Sequence, residues 1–279
     1  MPEFALQTLL STPLVSILDV RCAGECRHKS AEECATATHL VFPYRGAYVR
    51  HLGRDAAVAE ASQVLFFNAG EAYRVSHPVQ GGDASVSVTV NEGLLRELAP
   101  KALLHERARL AFRAQRLRID PRAQALVALL RHSALQGVAE PLQTESLALT
   151  LVQRSLGPRT THAAGGSAGR QRLVDRVKLI LVGDLSRRWA LAQIAAAAGC
   201  SAVYLTQVFQ KVEGVPLYRY QLRLRLARSL DLLGQYADLS QLSLDLGFSS
   251  HSHFSAAFQQ NYGCSPSEFR RAALRRPQP

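Results

Sequence analysis

One pattern occurs twice in the C-terminal part of the chain, and it restricts the fold more than any other feature. The first copy reads Leu191-x-x-Ile194-Ala195-x-x-x-Gly199-Cys200-Ser201, then Leu205-x-x-x-Phe209-Gln210-x-x-x-Gly214. The second reads Leu239-x-x-Leu242-Ser243-x-x-x-Gly247-Phe248-Ser249, then Phe254-x-x-x-Phe258-Gln259-x-x-x-Gly263. The offset is 48 residues through the first half of the pattern and 49 through the second, and Tyr220 and Phe269 also match at 49. A repeat of this kind is one supersecondary unit used twice. In each copy, apolar residues at i and i+3 mark a short helix, and a small residue (Ala195 or Ser243) admits a second helix at close range. Glycine supplies the left-handed stop, and a serine (Ser201 or Ser249) caps the next helix. That helix buries Leu205, Val208, Phe209 and Val212, or Phe254, Ala257, Phe258 and Tyr262, and leaves its other face free for a groove. The unit is a helix-turn-helix.

The charge is concentrated in the same place. The 279 residues carry a formal net charge of +11. Residues 170–279 hold 15 basic and 7 acidic side chains, a net of +8, whereas residues 1–169 hold 18 and 15, a net of +3. Such a balance favours a polyanionic partner, either nucleic acid or an acidic membrane surface. With 47% hydrophobic and 20% charged residues, a packed core is expected and global disorder is excluded. No run of about 18 apolar residues is present, so no membrane span is expected. The start Met1-Pro2-Glu3-Phe4 lacks the basic opening of a signal peptide; the expected address is cytoplasmic. Five unevenly placed cysteines do not suit a disulfide scaffold. A phosphate-cradling glycine loop and H-E-x-x-H are absent, and no enzymatic activity is expected.

The length suggests two domains. A glycine-, proline- and small-residue-rich stretch from Gly157 to Gly169 reads as a flexible linker. It separates an N-terminal domain at 1–157, a linker at 158–169 and a C-terminal domain at 170–279. The N-terminal domain begins with short strands at 14–20, 39–44, 47–52, 63–68, 73–77 and 84–90. Alternation is clear in Ser85-Val86-Ser87-Val88-Thr89-Val90, and the spacing suggests a small barrel or sandwich. Helices follow at 120–136, opened by Asp120-Pro121, and at 141–156. The C-terminal domain reads as all helix, at about 170–183, 190–198, 202–213, 217–233, 239–246, 251–262 and 266–275. The connector between the two copies, roughly 18 residues of helix, spans about 27 Å. That is compatible with reading helices set about 34 Å apart on one face of a duplex.

Residues about 172–275, just over a third of the chain, resemble the DNA-binding domain of AraC/XylS-type transcription regulators. The resemblance rests on G-C-S-x-x-Y-L-x-x-V-F-Q-K (199–211), R-L-x-L-A-R-S-L-x-L-L (223–233) and G-F-S-S-H-S-H-F-S-A-A-F-Q-Q-N-Y-G-C-S-P-S-E-F-R (247–270). It implies two helix-turn-helix units entering adjacent segments of the major groove, with the second helix of each as reader. By similarity, Val203, Thr206 and Gln207 take the base-facing positions of the first reader, beside Gln210. Gln207 suits a bidentate contact with adenine, and Val203 or the Thr206 methyl suits a thymine methyl. In the second reader the matching positions are His251, Ser252, His253, Ser255 and Ala256. Many relatives carry arginine where this chain has Ala256. Phosphate contacts through His251, Ser252 and Ser255 remain open to it. Of Arg219, Arg223, Arg225 and Arg228 on the connector, some are expected on phosphate and others paired with Asp231 or Asp175.

The strand-rich half resembles the cupin-like effector barrels of the same family, through Val64-Leu65-Phe66-Phe67-Asn68-Ala69-Gly70-Glu71-x-Tyr73-Arg74-Val75. The expected fold is therefore α+β: a cupin-like barrel with a helical dimerisation segment, then an all-α domain. Leu126, Leu129, Leu130, Leu147, Leu149 and Leu151 offer a dimer face, or cover the barrel. A separate constellation is Cys22-x3-Cys26-x-His28-x5-Cys34-x4-His39. Cys22, Cys26, Cys34 and His39 form a Cys3His set that suits tetrahedral zinc or a soft-metal sensor. A redox-active cysteine pair and ordinary loop cysteines are the alternatives. His51 and His77 are candidates for a barrel interior.

These readings converge on a sequence-specific transcription regulator, an activator by family habit. Its expected partners are an operator duplex, RNA polymerase, a second copy of the chain and a small-molecule or metal effector, with no membrane. The rival is a metal-binding cupin-type enzyme with a helical accessory domain, for which no H-x-H and carboxylate cluster appears on the expected strands.

Overall fold

The computed structural model describes residues 4–24, 28–105, 109–137, 139–157 and 167–274. The chain divides into two compact units, Met1–Thr161 with Ser267–Pro279, and His162–Pro266. The fold is α+β. Among the described residues no single helix is long and apolar enough to cross a membrane.

The first unit contains strands β1 (Phe4–Ser11), β2 (Val15–Cys22), β3 (Glu33–Cys34), β4 (His39–Arg45) and β5 (Tyr48–Leu52). It continues with β6 (Asp55–Ala59), β7 (Gln63–Phe67), β8 (Ala72–Ser76), β9 (Asp83–Val90) and β10 (Arg116–Arg118). They make two antiparallel sheets, ordered β1-β2-β9-β4-β7-β10 and β3-β8-β5-β6. The six strands expected from alternation and turns are β2, β4, β5, β7, β8 and β9. The others carry weaker signals: β1 is an edge strand with a mostly exposed face, β3 has two residues, and β6 is alanine-rich.

Period-two alternation sorts the side chains. Ala84, Val86, Val88 and Val90 of β9 join Val15, Ile17, Leu40, Phe42, Val64 and Phe66 in one core. Helices α1 (Glu92–Leu98), α2 (Pro121–Leu135) and α3 (Pro141–Leu156) contribute to it. Asp120 caps α2 through Ala123 N–H, with Pro121 at the first helical position, as the sequence indicates. Arg154 of α3 donates to the same carboxylate and ties the two helices together. Leu130 and Leu151 are fully buried in this core, each worth about 1.5–3 kcal/mol. They therefore cannot form a dimer face, and Leu126, Leu147 and Leu149 pack partly against the same core.

A second core is built from both sheets: Val41, Leu65 and Phe67 from the larger, Tyr48, Ala59 and Val75 from the smaller. Arg50 of β5 is completely buried beside it. Its guanidinium donates to Phe66 O at 2.6 Å, pairs with Glu71 at 3.0 Å and lies 4.0 Å from the Phe67 ring centre. Burial lowers its pKa, and the Glu71 carboxylate opposes that. Arg50 thus braces the turn 68–71, where the chain passes from one sheet to the other. His51, its neighbour, is half-buried and contacts Ser76 Oγ at 2.9 Å.

The second unit contains α4 (Ala168–Gly183), α5 (Leu191–Ala198), α6 (Ala202–Glu213), α7 (Leu217–Leu232), α8 (Leu239–Asp245) and α9 (His251–Tyr262); α10 (Pro266–Leu274) begins at its end. Most of the expected linker, residues 158–166, lies outside the described residues. Its last part is structured: Ser167 occupies the N-cap position of α4, and Ala168 and Gly169 are already helical.

Candidate nucleic-acid interface

Each copy of the repeat folds as a helix, a glycine turn and a second helix. In the first, α5 and α6 meet at 86°, close to the right angle a helix-turn-helix needs. Gly199 holds the turn at φ 69° and Ser201 Oγ accepts from Tyr204 N–H to cap α6. Leu205, Val208, Phe209 and Val212 bury against Val174, Val177 and Leu181 of α4 and Leu217, Tyr220 and Leu224 of α7. Lys178 and Glu213 form a buried ion pair at 2.9 Å within this packing.

In the second copy Gly247 has φ 80°. The cap of α9 is Ser250, whose Oγ accepts from His253 N–H, and not Ser249 as the sequence pattern suggests. The reason is the one-residue insertion between the halves of the repeat. Aligned from the turn glycine, Ser249 matches Ser201; aligned from the helix, Ser250 does. Helix geometry decides, because a cap stands two or three residues before the amide it accepts from, and Ser249 is four residues before His253. Ser249 Oγ lies instead 3.0 Å from His253 Nδ1, and the His253 ring meets Phe248 edge-on at 5.6 Å.

The helix α7 joins the copies. Its 16 residues span about 24 Å, near the expected connector length. Leu217, Tyr220 and Leu224 belong to the first core, and Leu226 and Leu230 are buried further along, where α7 packs on α9. Arg225 is engaged with main-chain carbonyls. Its guanidinium donates to Leu185 O at 2.7 Å, Gly247 O at 2.8 Å, Arg187 O at 2.8 Å and Ser186 O at 3.2 Å. It staples the loop before α5 to the turn of the second copy. Partial burial lowers its pKa, helped by neighbouring Arg188. Arg228 pairs with Asp231, as expected for one of the connector arginines. Asp175 accepts from Gln171. Arg219 stays exposed and Arg223 half-buried.

The positions expected to read DNA lie on the solvent face. Val203, Thr206, Gln207 and Gln210 of α6 are exposed, as are His251, Ser252 and Ala256 of α9, with Ser255 half-buried. Their chemistry differs. Val203 is 67% exposed and offers an aliphatic contact surface. Thr206 donates to Val203 O at 2.8 Å, which commits its hydroxyl and leaves its methyl as the contact group. In α9, Ser255 Oγ and His251 Nε2 are 3.3 Å apart, a polar pair already made. Tyr204, 46% exposed beside Val203, is a further exposed side chain that is not among the expected reading positions.

Among the described residues, Cys22, Cys34 and His39 of the expected Cys3His set are not brought together. Cys34 is exposed on β3, and His39 on β4 bonds Ala37 O at 2.8 Å and stacks on Phe67. Burial lowers the His39 pKa. Cys26 lies outside the described residues. Cys22 instead meets His77 and Asp83, residues far away in sequence, and all three are buried. The hydrogen bonds to Asp83 and Cys22 push the His77 pKa up to about 10. The sequence spacing missed this group because only the sheet register creates it.

Residues 194–272 match a helix-turn-helix domain family. The chain is 31% identical over 107 residues to the transcriptional regulator YidL of Escherichia coli (strain K12), covering 38% of this chain and 36% of that one. It is 32% identical over 96 residues to the transcriptional activator CfaD of Escherichia coli, covering 34% and 36%. The matches therefore span little more than a third of these relatives. A solved transcriptional regulator from Chromobacterium violaceum, with an AraC-type DNA-binding domain, aligns over 40% of this chain and all of its own at 28% identity, with a TM-score of 0.37.

Proposed function

We propose that this chain, whose residues 194–272 match a helix-turn-helix domain family, is a sequence-specific DNA-binding transcription regulator of the AraC type. The observation that carries the proposal is the paired, similarly built reading helices α6 and α9 on either end of α7, each with an exposed face, in a segment of net charge +8. Within it, Val203, Thr206, Gln207 and Gln210 read bases, while His251, Ser252, Ser255 and Ala256 face the backbone of the neighbouring groove segment. Exposed Arg219 and half-buried Arg223 supply phosphate contacts.

The action proposed is binding without a chemical reaction, in the cytoplasm. The strand-rich unit serves as a cupin-like effector domain, and an effector shifts the population of DNA-binding arrangements. Activation through RNA polymerase is the proposed output, supported by the activator named among the relatives. A homodimer is proposed through α3, where Leu142 is 73% exposed. The test is selection of bound duplexes from a random pool. Enrichment of two boxes about one helical turn apart is expected; a pool without enrichment rejects the function.

A further inference from the structure

The function proposed above makes no use of the most tightly built side-chain cluster in the first unit. Cys22 ends β2 and Asp83 begins β9, and the two are directly opposite each other in the antiparallel ladder. His77 follows β8. Asp83 Oδ2 lies 2.6 Å from His77 Nδ1, and His77 Nε2 lies 3.6 Å from Cys22 Sγ. Gly24 N–H donates to the same sulfur at 3.3 Å. The backbone around them is packed more closely than any side chain permits. A Cβ on Gly82 would stand 2.3 Å from Cys22 O, and one on Gly46 would stand 2.1 Å from Gly82 O. Both glycines have positive φ. The three functional groups are thus held by main chain, not by adjustable loops.

We propose that this cluster binds a thiophilic divalent cation of the zinc class, with Cys22 Sγ and His77 Nε2 as direct ligands and Asp83 orienting His77 from behind. Zn–S of about 2.3 Å and Zn–N of about 2.0–2.1 Å at a tetrahedral angle separate sulfur and nitrogen by about 3.5 Å. The separation here is 3.6 Å. A carboxylate on the far nitrogen fixes the tautomer that turns Nε2 toward the ion, a recurrent arrangement behind metal-binding histidines. A thiolate with an imidazole selects zinc-class ions over magnesium or calcium. With two direct protein ligands, the ion keeps positions for water or a small donor. The site deepens the effector part of the proposed function and rests on it only for its regulatory consequence.

The experiment titrates the full chain with Co2+ as a spectroscopic stand-in for Zn2+. A thiolate-to-cobalt absorption band that Zn2+ abolishes is expected. C22S removes the band, C34S retains it, and the isosteric D83N, checked for native circular dichroism, weakens affinity about 10–100-fold. No band in the unaltered chain, loss of the band in C34S, or undiminished affinity in D83N overturns the proposal. Duplex affinity is measured separately with and without Zn2+. An affinity that ignores zinc removes the regulatory consequence and leaves the site; no duplex binding at all rejects the function proposed above and not the site.

Discussion

The two helix-turn-helix copies share a backbone and differ in what fills it. The first is packed mainly by aliphatic side chains around Phe209 and Tyr220, with the buried Lys178–Glu213 pair at its edge. The second is packed by a file of aromatic rings. Phe248, Phe254, Phe258 and Tyr262 follow one another edge-to-face at 5.1, 5.7 and 4.6 Å. Their turns differ as well. A Cβ on Gly199 would find only the end of Arg176, 3.9 Å away, while one on Gly247 would stand 2.1 Å from Ser186 O. Their readers differ most: α6 presents Val203, Tyr204 and Gln207, whereas α9 presents histidine and serine side chains that bond one another. The two copies keep the same helix-glycine-helix order while their surface chemistry differs, and on the function proposed above base discrimination is assigned chiefly to α6.

Substitutions at equivalent positions separate the copies. Gly247→Ala forces both a left-handed alanine and a clash with a backbone carbonyl, for a loss of about 2–5 kcal/mol. Gly199→Ala meets only the conformational cost, about 1–2 kcal/mol. Denaturant unfolding of the two variants checks this, and equal losses would erase the distinction between the turns. Next in size is Arg225→Met, which abandons the carbonyls of Leu185, Ser186, Arg187 and Gly247. About 2–3 kcal/mol of stability should go with it. Binding to two-box duplexes should fall further than binding to a single box, a contrast measured by fluorescence anisotropy.

The readers are compared on DNA. Gln207→Ala is expected to cost about 2 kcal/mol on the selected duplex and to relax preference at one base pair. Ser255→Ala, at the place in α9 that matches Thr206 of α6, is expected to cost less than about 1 kcal/mol, equally on all sequences. A larger and sequence-dependent loss for Ser255→Ala would reverse the assignment of the two helices.

Much of this was legible before any coordinates. Helix spans at 202–213, 251–262 and 141–156 follow from apolar spacing, glycine stops and proline starts, and the structure reproduces them. Six strands followed from alternation. The misreadings share one cause. Ser249 was assigned the cap because the repeat was aligned from one end, and Cys34 and His39 were grouped with Cys22 because they are close along the chain. Arg225 was left open between phosphate and the carboxylates of Asp231 or Asp175, and it bonds main-chain carbonyls instead. In each case the decisive partner lies elsewhere in the sequence.

What the sequence by itself determined is the duplicated helix-turn-helix, the α+β order of the chain and the exposed faces of α6 and α9. These depend on periodicity and on local capping, which act within a few residues. Only the tertiary structure decided that His77 reaches Cys22, that Arg225 staples two segments together, and that Leu130 and Leu151 are core. Those outcomes depend on strand register and on the closure of long loops, where partners tens of residues apart are chosen by packing that no local pattern records.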